Sequence, residues 1–329
     1  MGKASAVYEV ISSTLSAHQD KHMSVKEMCC IAGVSRSGYY AWIAAAKERE
    51  AQEEQDRKDF ELILAAYKAR GYEKGARGIY MRLLHRDPPV TMNVKKIRRL
   101  MKKYRLVCNI RKANPYRRMA RALQTSNVAE NILKREFEDY GPRVVLLTDI
   151  TYLPYNGTFA YLSTIIDAYT KQVLAYVVCD SLRIDFVLET VRILERDHGV
   201  SLTEYTIIHS DQGSHYTSCQ FIDIVTNAGL RRSMSRRGNC WDNAPQESFF
   251  GRMKDHLKPR LKECVTFDQV KAEVEKYIDY YNNDRYQWEL ARLSPNEFYR
   301  FCTTGVYPIK VENPPEVPVP RKQPGDLGQ

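Results

Sequence analysis

The sequence predicts a mixed α/β core, a central sheet flanked by helices, preceded by an all-α region resembling a helix-turn-helix. Three observations predict it. The first 110 residues read as helices punctuated by glycine and proline, strands alternate with helices from Val144 onward, and the charge changes sign between these parts. Residues 1–125 hold 26 Lys or Arg against 12 Asp or Glu, a net +14, whereas the remainder holds 24 against 28, a net −4, so the two parts meet different partners. A length of 329 residues allows two or three domains, because single cores stop growing at roughly 100–200 residues. With 43% apolar and 27% charged residues, wholesale disorder and a collagen-like repeat are excluded.

Ser24 and Glu27 form a capping-box pattern that opens a helix to Ile31. Gly33 breaks it, and Ser35 caps a second helix through Tyr39, Tyr40, Trp42 and Ile43. The stretch Ser24 to Ala46 therefore fits a helix-turn-helix, with Arg36 and Ser37 as its readers; a plain helical hairpin fits it equally well. Glu48 to Asp59 is rich in helix formers, and Phe60, Ile63, Leu64 and Tyr67 continue as a helical stripe. Gly71, Gly75 and Gly78 punctuate the chain, Asp87-Pro88-Pro89 turns it, and Thr91 or Asn93 caps a helix through Ile97, Leu100, Met101 and Tyr104.

That last helix begins a stretch built for a polyanion. Between Pro88 and Ala129 there is no acidic residue, while Lys95, Lys96, Arg98, Arg99, Lys102, Lys103, Arg105, Arg111, Lys112, Arg117, Arg118 and Arg121 are cationic. Neutralised phosphates release counterions, so such a cluster binds nucleic acid in a salt-sensitive, sequence-independent way. A merely solvated face intersperses acids for solubility, and a membrane-surface helix confines its cations to one face. Residues 111–131 lack periodicity and contain Asn114-Pro115, so they read as an extended linker.

Val144 to Leu153 and Phe159 to Asp167 read as strands joined by an Asn156-Gly157 turn, and Val173 to Cys179 as a third strand. Arg183 to His198 is a helix, Tyr205 to His209 a buried strand, Ser218 to Gly229 a helix, and Arg231 to Met234 a short strand. Pro245 opens a further helix, where its missing N–H costs nothing. No dinucleotide or Walker glycine motif is present. The eight cysteines include no C-x-x-C pair, and adjacent Cys29 and Cys30 cannot easily share one tetrahedral zinc. The longest apolar runs are too short for a span of about 20 residues, and Met1 to Ser16 lacks a secretory pattern, so a cytoplasmic, nucleoid-associated location with no membrane partner is expected.

Three carboxylates are candidates for a two-metal site. Asp149 follows Val-Val-Leu-Leu-Thr on the first strand, where an acid amid apolar residues is costly without a partner; Asp211 lies just past the strand ending at His209; Glu247 sits in the first turn of the helix opened by Pro245. On that helix Glu247, Gly251, Lys254 and Lys258 share one face, and Phe249, Phe250, Met253 and Leu257 form the adjoining buried face. Gly251 leaves a gap for a sugar-phosphate backbone, and Lys254 is placed to hold a phosphate. Oxygen ligands without His or Cys favour Mg²⁺ or Mn²⁺, and two such ions suit an in-line displacement at phosphorus. Asp167, Asp180, Asp185 and Asp223 read as caps or surface charges.

Thr148-Asp-Ile-Thr-Tyr152, His209-Ser-Asp-Gln-Gly-Ser-His-Tyr216, Ser235 to Phe250, and Tyr280 to Gln287 with Ser294-Pro295 together resemble the insertion-sequence transposases whose core is similar to retroviral integrase. In particular they resemble the second-reading-frame product of two-frame bacterial elements, from Gly33 to Tyr40 onward. The resemblance implies a ribonuclease-H-like core, Asp149, Asp211 and Glu247 as the catalytic and metal-binding triad, and Lys254 as the basic residue that follows it. It also implies DNA cleavage and 3′-hydroxyl strand transfer, with element ends and target DNA as partners. A first-reading-frame protein, separate or fused, and homo-oligomerisation on DNA are implied as well. Leu146 departs from the family's frequent Trp and affects packing alone.

Arg236 and Arg237 are expected to meet phosphate in a loop pivoting on Gly238; Trp241 stacks on a base or packs inside, and Asp242 caps the next helix or positions the loop. The expected domains are 1–50, helix-turn-helix-like; 51–110, a second helical DNA-binding unit; 111–138, a basic linker; and 139–262, the ribonuclease-H-like integrase core. A C-terminal helical extension, 263–305, and a Pro-rich tail without order, 306–329, complete the chain. Two rivals stand beside the transposase: a non-catalytic DNA-binding regulator derived from such an element, and a ribonuclease-H-type nuclease.

Overall fold

A computed structural model describes residues 3–17, 24–108, 133, 139–235 and 244–326. The chain divides into two compact units, residues 1–65 and 66–329.

In the first unit, α1 (Lys3–Ala17), α2 (Val25–Ile31) and α3 (Arg36–Ala44) enclose a small core of Ile11, Cys29 and Tyr39. The capping box of Ser24 and Glu27 and the Ser35 cap both form as the sequence predicts. Gly33 turns the chain with φ +65°, a conformation in which L side chains are strained. Gly38 is required for packing, because a Cβ there would collide with the Tyr8 hydroxyl. The Trp42 indole N–H donates to Ser5 Oγ at 3.1 Å, so its polar edge is satisfied. The next helix, α4 (Ala46–Lys68), runs unbroken through the boundary expected at residue 50. Its run of strong helix formers contains no Gly or Pro to stop it.

The second unit opens with α5 (Ala76–Leu84) and α6 (Val94–Lys103), the latter capped by Asn93. Ile97, Leu100 and Met101 are buried, while Lys95, Arg98, Arg99, Lys102 and Lys103 are exposed and Lys96 half-buried. Of the basic stretch, residues 109–132 lie outside the described residues.

Among the described residues five strands form one sheet in the order β3-β2-β1-β4-β5: β1 (Val145–Tyr155), β2 (Thr158–Asp167), β3 (Val173–Cys179), β4 (Ile207–Ser210) and β5 (Arg231–Met234). β1 pairs antiparallel with β2 through a turn at Asn156 and Gly157, whose φ angles of 39° and 74° match a primed hairpin turn. On its other edge β1 pairs parallel with β4, and β4 with β5, which requires the crossover helices α7 (Asp185–His198) and α8 (Cys219–Asn227). One face packs Leu146, Ile165 and Ile208 against Phe186, Val191, Phe221 and Val225 of those helices. The opposite face packs Leu153, Leu162 and Ile166 under α9 (Ala244–Leu261) and α10 (Phe267–Asn283). α11 (Pro295–Thr304), with a Ser294–Glu297 capping box, follows.

Two expectations change. Asp167 is fully buried; its carboxylate accepts from the Arg143 backbone N–H (3.0 Å) and guanidinium (2.8 Å), and from the Tyr169 (2.9 Å) and Thr170 (3.3 Å) amides. The chain after Gly305 is not free of structure: Ile309 is buried, and the Lys322 N–H donates to the Asp139 carbonyl at 2.9 Å. Proline removes donors, but this segment finds apolar partners and a backbone bond on the core. Asp180, Asp185 and Asp223 are exposed, as expected. Among the described residues no helix is long and apolar enough to cross a membrane.

Candidate active site

The parallel register of β1 and β4 brings two acids together. Leu147 pairs with His209, the last pair of the parallel register, so Asp149, inside β1, and Asp211, just past the end of β4, each two positions further along, come level; neighbouring strands lie about 4.8 Å apart. Asp149 Oδ1 accepts from the Ile150 N–H at 2.7 Å. Asp211 Oδ1 accepts from the Gly213 N–H at 2.9 Å. A Cβ at Gly213 would stand 2.9 Å from that oxygen, so glycine keeps the Asp211 carboxylate in place.

Burial pushes the Asp149 carboxyl up to about 7, and the negative charges of Asp211 and Glu247 push the same way, against the Ile150 N–H and the Lys254 ammonium. Lys254 is half-buried; burial lowers its pKa while the charge of Asp149 raises it. Asp149, Asp211, Glu247 and Lys254 thus share one electrostatic neighbourhood. Among the described residues no three His, Cys, Asp or Glu side chains stand close enough to hold one metal ion, so Glu247 acts on Asp149 as a charge without closing a three-ligand set. Three like charges repel until a cation lies between them.

Beneath Asp149 lies Tyr216, fully buried, its hydroxyl 3.5 Å from Thr148 Oγ1 and its pKa held far above the ordinary phenol range by burial and by the Asp149 charge. His209 is buried between two serines, with Nδ1 3.0 Å from Ser233 Oγ and Nε2 3.0 Å from Ser235 Oγ. Ser235 is further held by its N–H donating to the Ser210 carbonyl (2.8 Å) and by Gln212 Nε2 donating to its carbonyl (3.1 Å). The chain therefore leaves the sheet toward residue 236 from a fixed point.

On α9, Phe249, Phe250, Met253 and Leu257 are buried, as their spacing predicts, and Gly251 faces open space, where an added Cβ would meet nothing within 4 Å. Gln246, passed over in the sequence, is fully buried, and its Nε2 donates to Thr164 Oγ1; Thr164 is the β2 residue paired with Asp149. This bond ties the first turn of α9, and with it Glu247, to the strand beside Asp149. The signal was present: Gln246 begins the i, i+3, i+4, i+7 buried stripe, and a polar residue there needs a buried partner. Gln246→Leu is expected to cost about 1–3 kcal/mol by leaving the Thr164 hydroxyl unpaired, and adding Thr164→Val to recover most of it; urea unfolding of both variants measures this.

Arg36 is exposed at the start of α3, whereas Arg236, Arg237, Gly238, Trp241 and Asp242 lie outside the described residues.

Comparison with known proteins bears on the family to which the chain belongs. Family models described as Integrase core domain match residues 125–240 and 247–300, and an HTH-like domain matches residues 54–114. The HTH-like match falls on α4 to α6 and the basic stretch, outside the Ser24–Ala46 pattern. An uncharacterized 31 kDa protein of insertion element IS600 from Shigella sonnei is 30% identical over 276 residues, covering 82% of this chain and 97% of that protein. The putative transposase InsK for insertion sequence element IS150 of Escherichia coli is 33% identical over 215 residues, covering 65% of this chain and 74% of its own. Among solved structures, the HTLV-2 integrase catalytic core domain in complex with magnesium has a TM-score of 0.38 at 15% identity, covering 48% of this chain and 97% of its own. With integrase-core matches on the sheet and from α9 onward, and relatives from mobile elements of which this chain covers 74–97%, the chain belongs to the insertion-sequence transposases with an integrase-like, ribonuclease-H-like core.

Proposed function

We propose that Asp149, Asp211 and Glu247 are the catalytic and metal-binding residues of a DNA transposase that cleaves at element ends and joins the freed 3′-hydroxyl to target DNA. Family membership supports strand cleavage and transfer; the residue roles rest on geometry. The observation that carries them is the parallel register that sets Asp149 of β1 level with Asp211 just past β4, with the Asp149 proton affinity raised by burial and by its acidic neighbours. A site with two crowded carboxylates, a third nearby and no His or Cys among them fits a hard divalent cation, Mg²⁺ or Mn²⁺, as a pair of ions. When bound, such ions supply an activated attacking oxygen and a stabilised leaving oxygen.

The chain's own residues do the rest. Ile150 and Gly213 N–H groups each fix one oxygen of an aspartate, leaving the other for the ligand. Gln246 holds the turn that carries Glu247 against β2. Lys254, charged beside Asp149, meets the phosphate, and the exposed cations of α6 hold the duplex in a salt-sensitive way, with Arg36, Arg236 and Arg237 as further contacts. The first-reading-frame protein and a homo-oligomer on DNA complete the proposal, with the domain limits expected from the sequence. The test is a strand-transfer assay on a labelled duplex ending in the element's terminal repeat, with Mg²⁺. Asp211→Asn and Glu247→Gln should each lower transfer by on the order of 10³-fold or more with DNA binding kept. Retained transfer in both variants would remove the assignment.

A further inference from the structure

Away from the carboxylates, α5 and the turn between α10 and α11 build an exposed aromatic and cationic patch. Trp288 is 40% exposed. The guanidinium carbon of Arg77 lies 5.2 Å from its ring centroid and that of Arg292 lies 5.3 Å away. Arg292 also reaches Tyr80, 5.9 Å from the ring, and the Tyr80 and Trp288 rings are 6.1 Å apart. Both arginines are exposed, and among the described residues neither pairs with a carboxylate. Residues 66–108, which supply Arg77, hold 13 Lys or Arg against 2 Asp or Glu, while the turn itself carries one exposed acid, Glu289, between Trp288 and Arg292.

The backbone is bent to make this patch. Ala291 and Arg292 are consecutive non-glycine residues with φ of 51° and 68°, a conformation that L side chains resist. The turn is held there by the Tyr307 hydroxyl donating to the Ala291 carbonyl at 2.8 Å and by the Gln287 N–H donating to the Leu293 carbonyl at 2.9 Å. Strain kept in place by surrounding bonds marks positions where geometry matters. A guanidinium attracted to a ring is restrained while its N–H fork remains available, and a planar fork matches phosphate oxygens.

We propose that Arg77, Trp288 and Arg292 form a phosphate clamp for the backbone of duplex DNA, distinct from the basic stretch that begins on α6. The clamp rests on the transposase reading. Trp288 acts as a positioning residue, and the two guanidiniums make the contacts.

The experiment uses the full chain and a fluorescein-labelled random-sequence duplex of about 40 base pairs, titrated by anisotropy over roughly 50–200 mM KCl. Arg77→Ala and Arg292→Ala should each reduce the slope of log K against log salt by about 0.9, and weaken binding roughly five- to tenfold near 100 mM. Trp288→Ala, with charge unchanged, should weaken binding in the same direction, and Trp288→Phe should restore it. Arg300→Ala, an exposed arginine on α11, should leave the slope within about 0.3 of wild type. The clamp is overturned if the arginine variants keep the wild-type slope, including the case in which Trp288→Ala lowers only the melting temperature and the patch is a brace. It is also overturned if an acidic peptide, and not the duplex, responds to the substitutions. A wild-type chain with no salt-dependent DNA binding would instead sink the transposase reading, so the two failures differ.

Discussion

Asp149→Asn should abolish strand transfer and at the same time stabilise the metal-free protein at pH 8. The folded carboxyl keeps its proton up to about pH 7, whereas the unfolded one releases it near 3.8. As the pH rises through that window the unfolded state gains relative to the folded one, so the wild-type protein loses stability, and above about 7 the loss is complete. With water reaching a half-buried carboxyl, the effect is on the order of 2–4 kcal/mol. Asparagine keeps an acceptor for the Ile150 N–H and carries no charge, so the variant escapes the loss. In the metal-free state its melting temperature should exceed the wild type's by several degrees at pH 8 and by little at pH 4.5. Adding Mg²⁺ should raise the wild-type melting temperature and leave the variant unmoved, since a ligand stabilises only the state that binds it. An equal difference at both pH values would show that burial and the charges of Asp211 and Glu247 do not raise the Asp149 carboxyl.

Asp167→Ala should be among the most destabilising single changes in the core, about 3–5 kcal/mol by urea unfolding, because it strands the charge of buried Arg143 and removes the acceptor of three backbone amides. Arg143 also donates to Gln172 Oε1 at 2.6 Å and lies 4.0 Å from the Tyr299 ring, so the loss spreads from the sheet into α11. Asp167→Asn keeps an acceptor and should cost less. A change within about 0.5 kcal/mol of wild type would mean the pair is replaceable by water.

What was legible in the sequence follows from range of interaction. The bounds of β3 and β5, the Asn156-Gly157 turn and the Ser24, Ser35 and Asn93 caps are written in neighbouring residues, and all appear as read. The acids Asp149 and Asp211 stand out because each follows a largely apolar run, yet only the Leu147–His209 register sets them level. Partnerships between distant residues were not legible. Asp167 looks like any turn aspartate until Arg143 folds over it, and the Gln246–Thr164 bond spans 82 positions. The tail after Gly305 has the composition of a loose end, and only the core decides where Ile309 and Lys322 land. The two helices within Ser24 to Ala46 form with the caps read for them, while the family's HTH-like match lies further along, where the cations are.

The anchoring of Ser235 and Gln246 to the sheet has an evolutionary consequence. The segment between them enters from a serine gripped by His209, Gln212 and Ser210, and ends at a glutamine moored to Thr164. With both ends moored, a lineage that alters one member of the His209–Ser235 or Thr164–Gln246 pair must compensate at the other, so these positions are expected to change together.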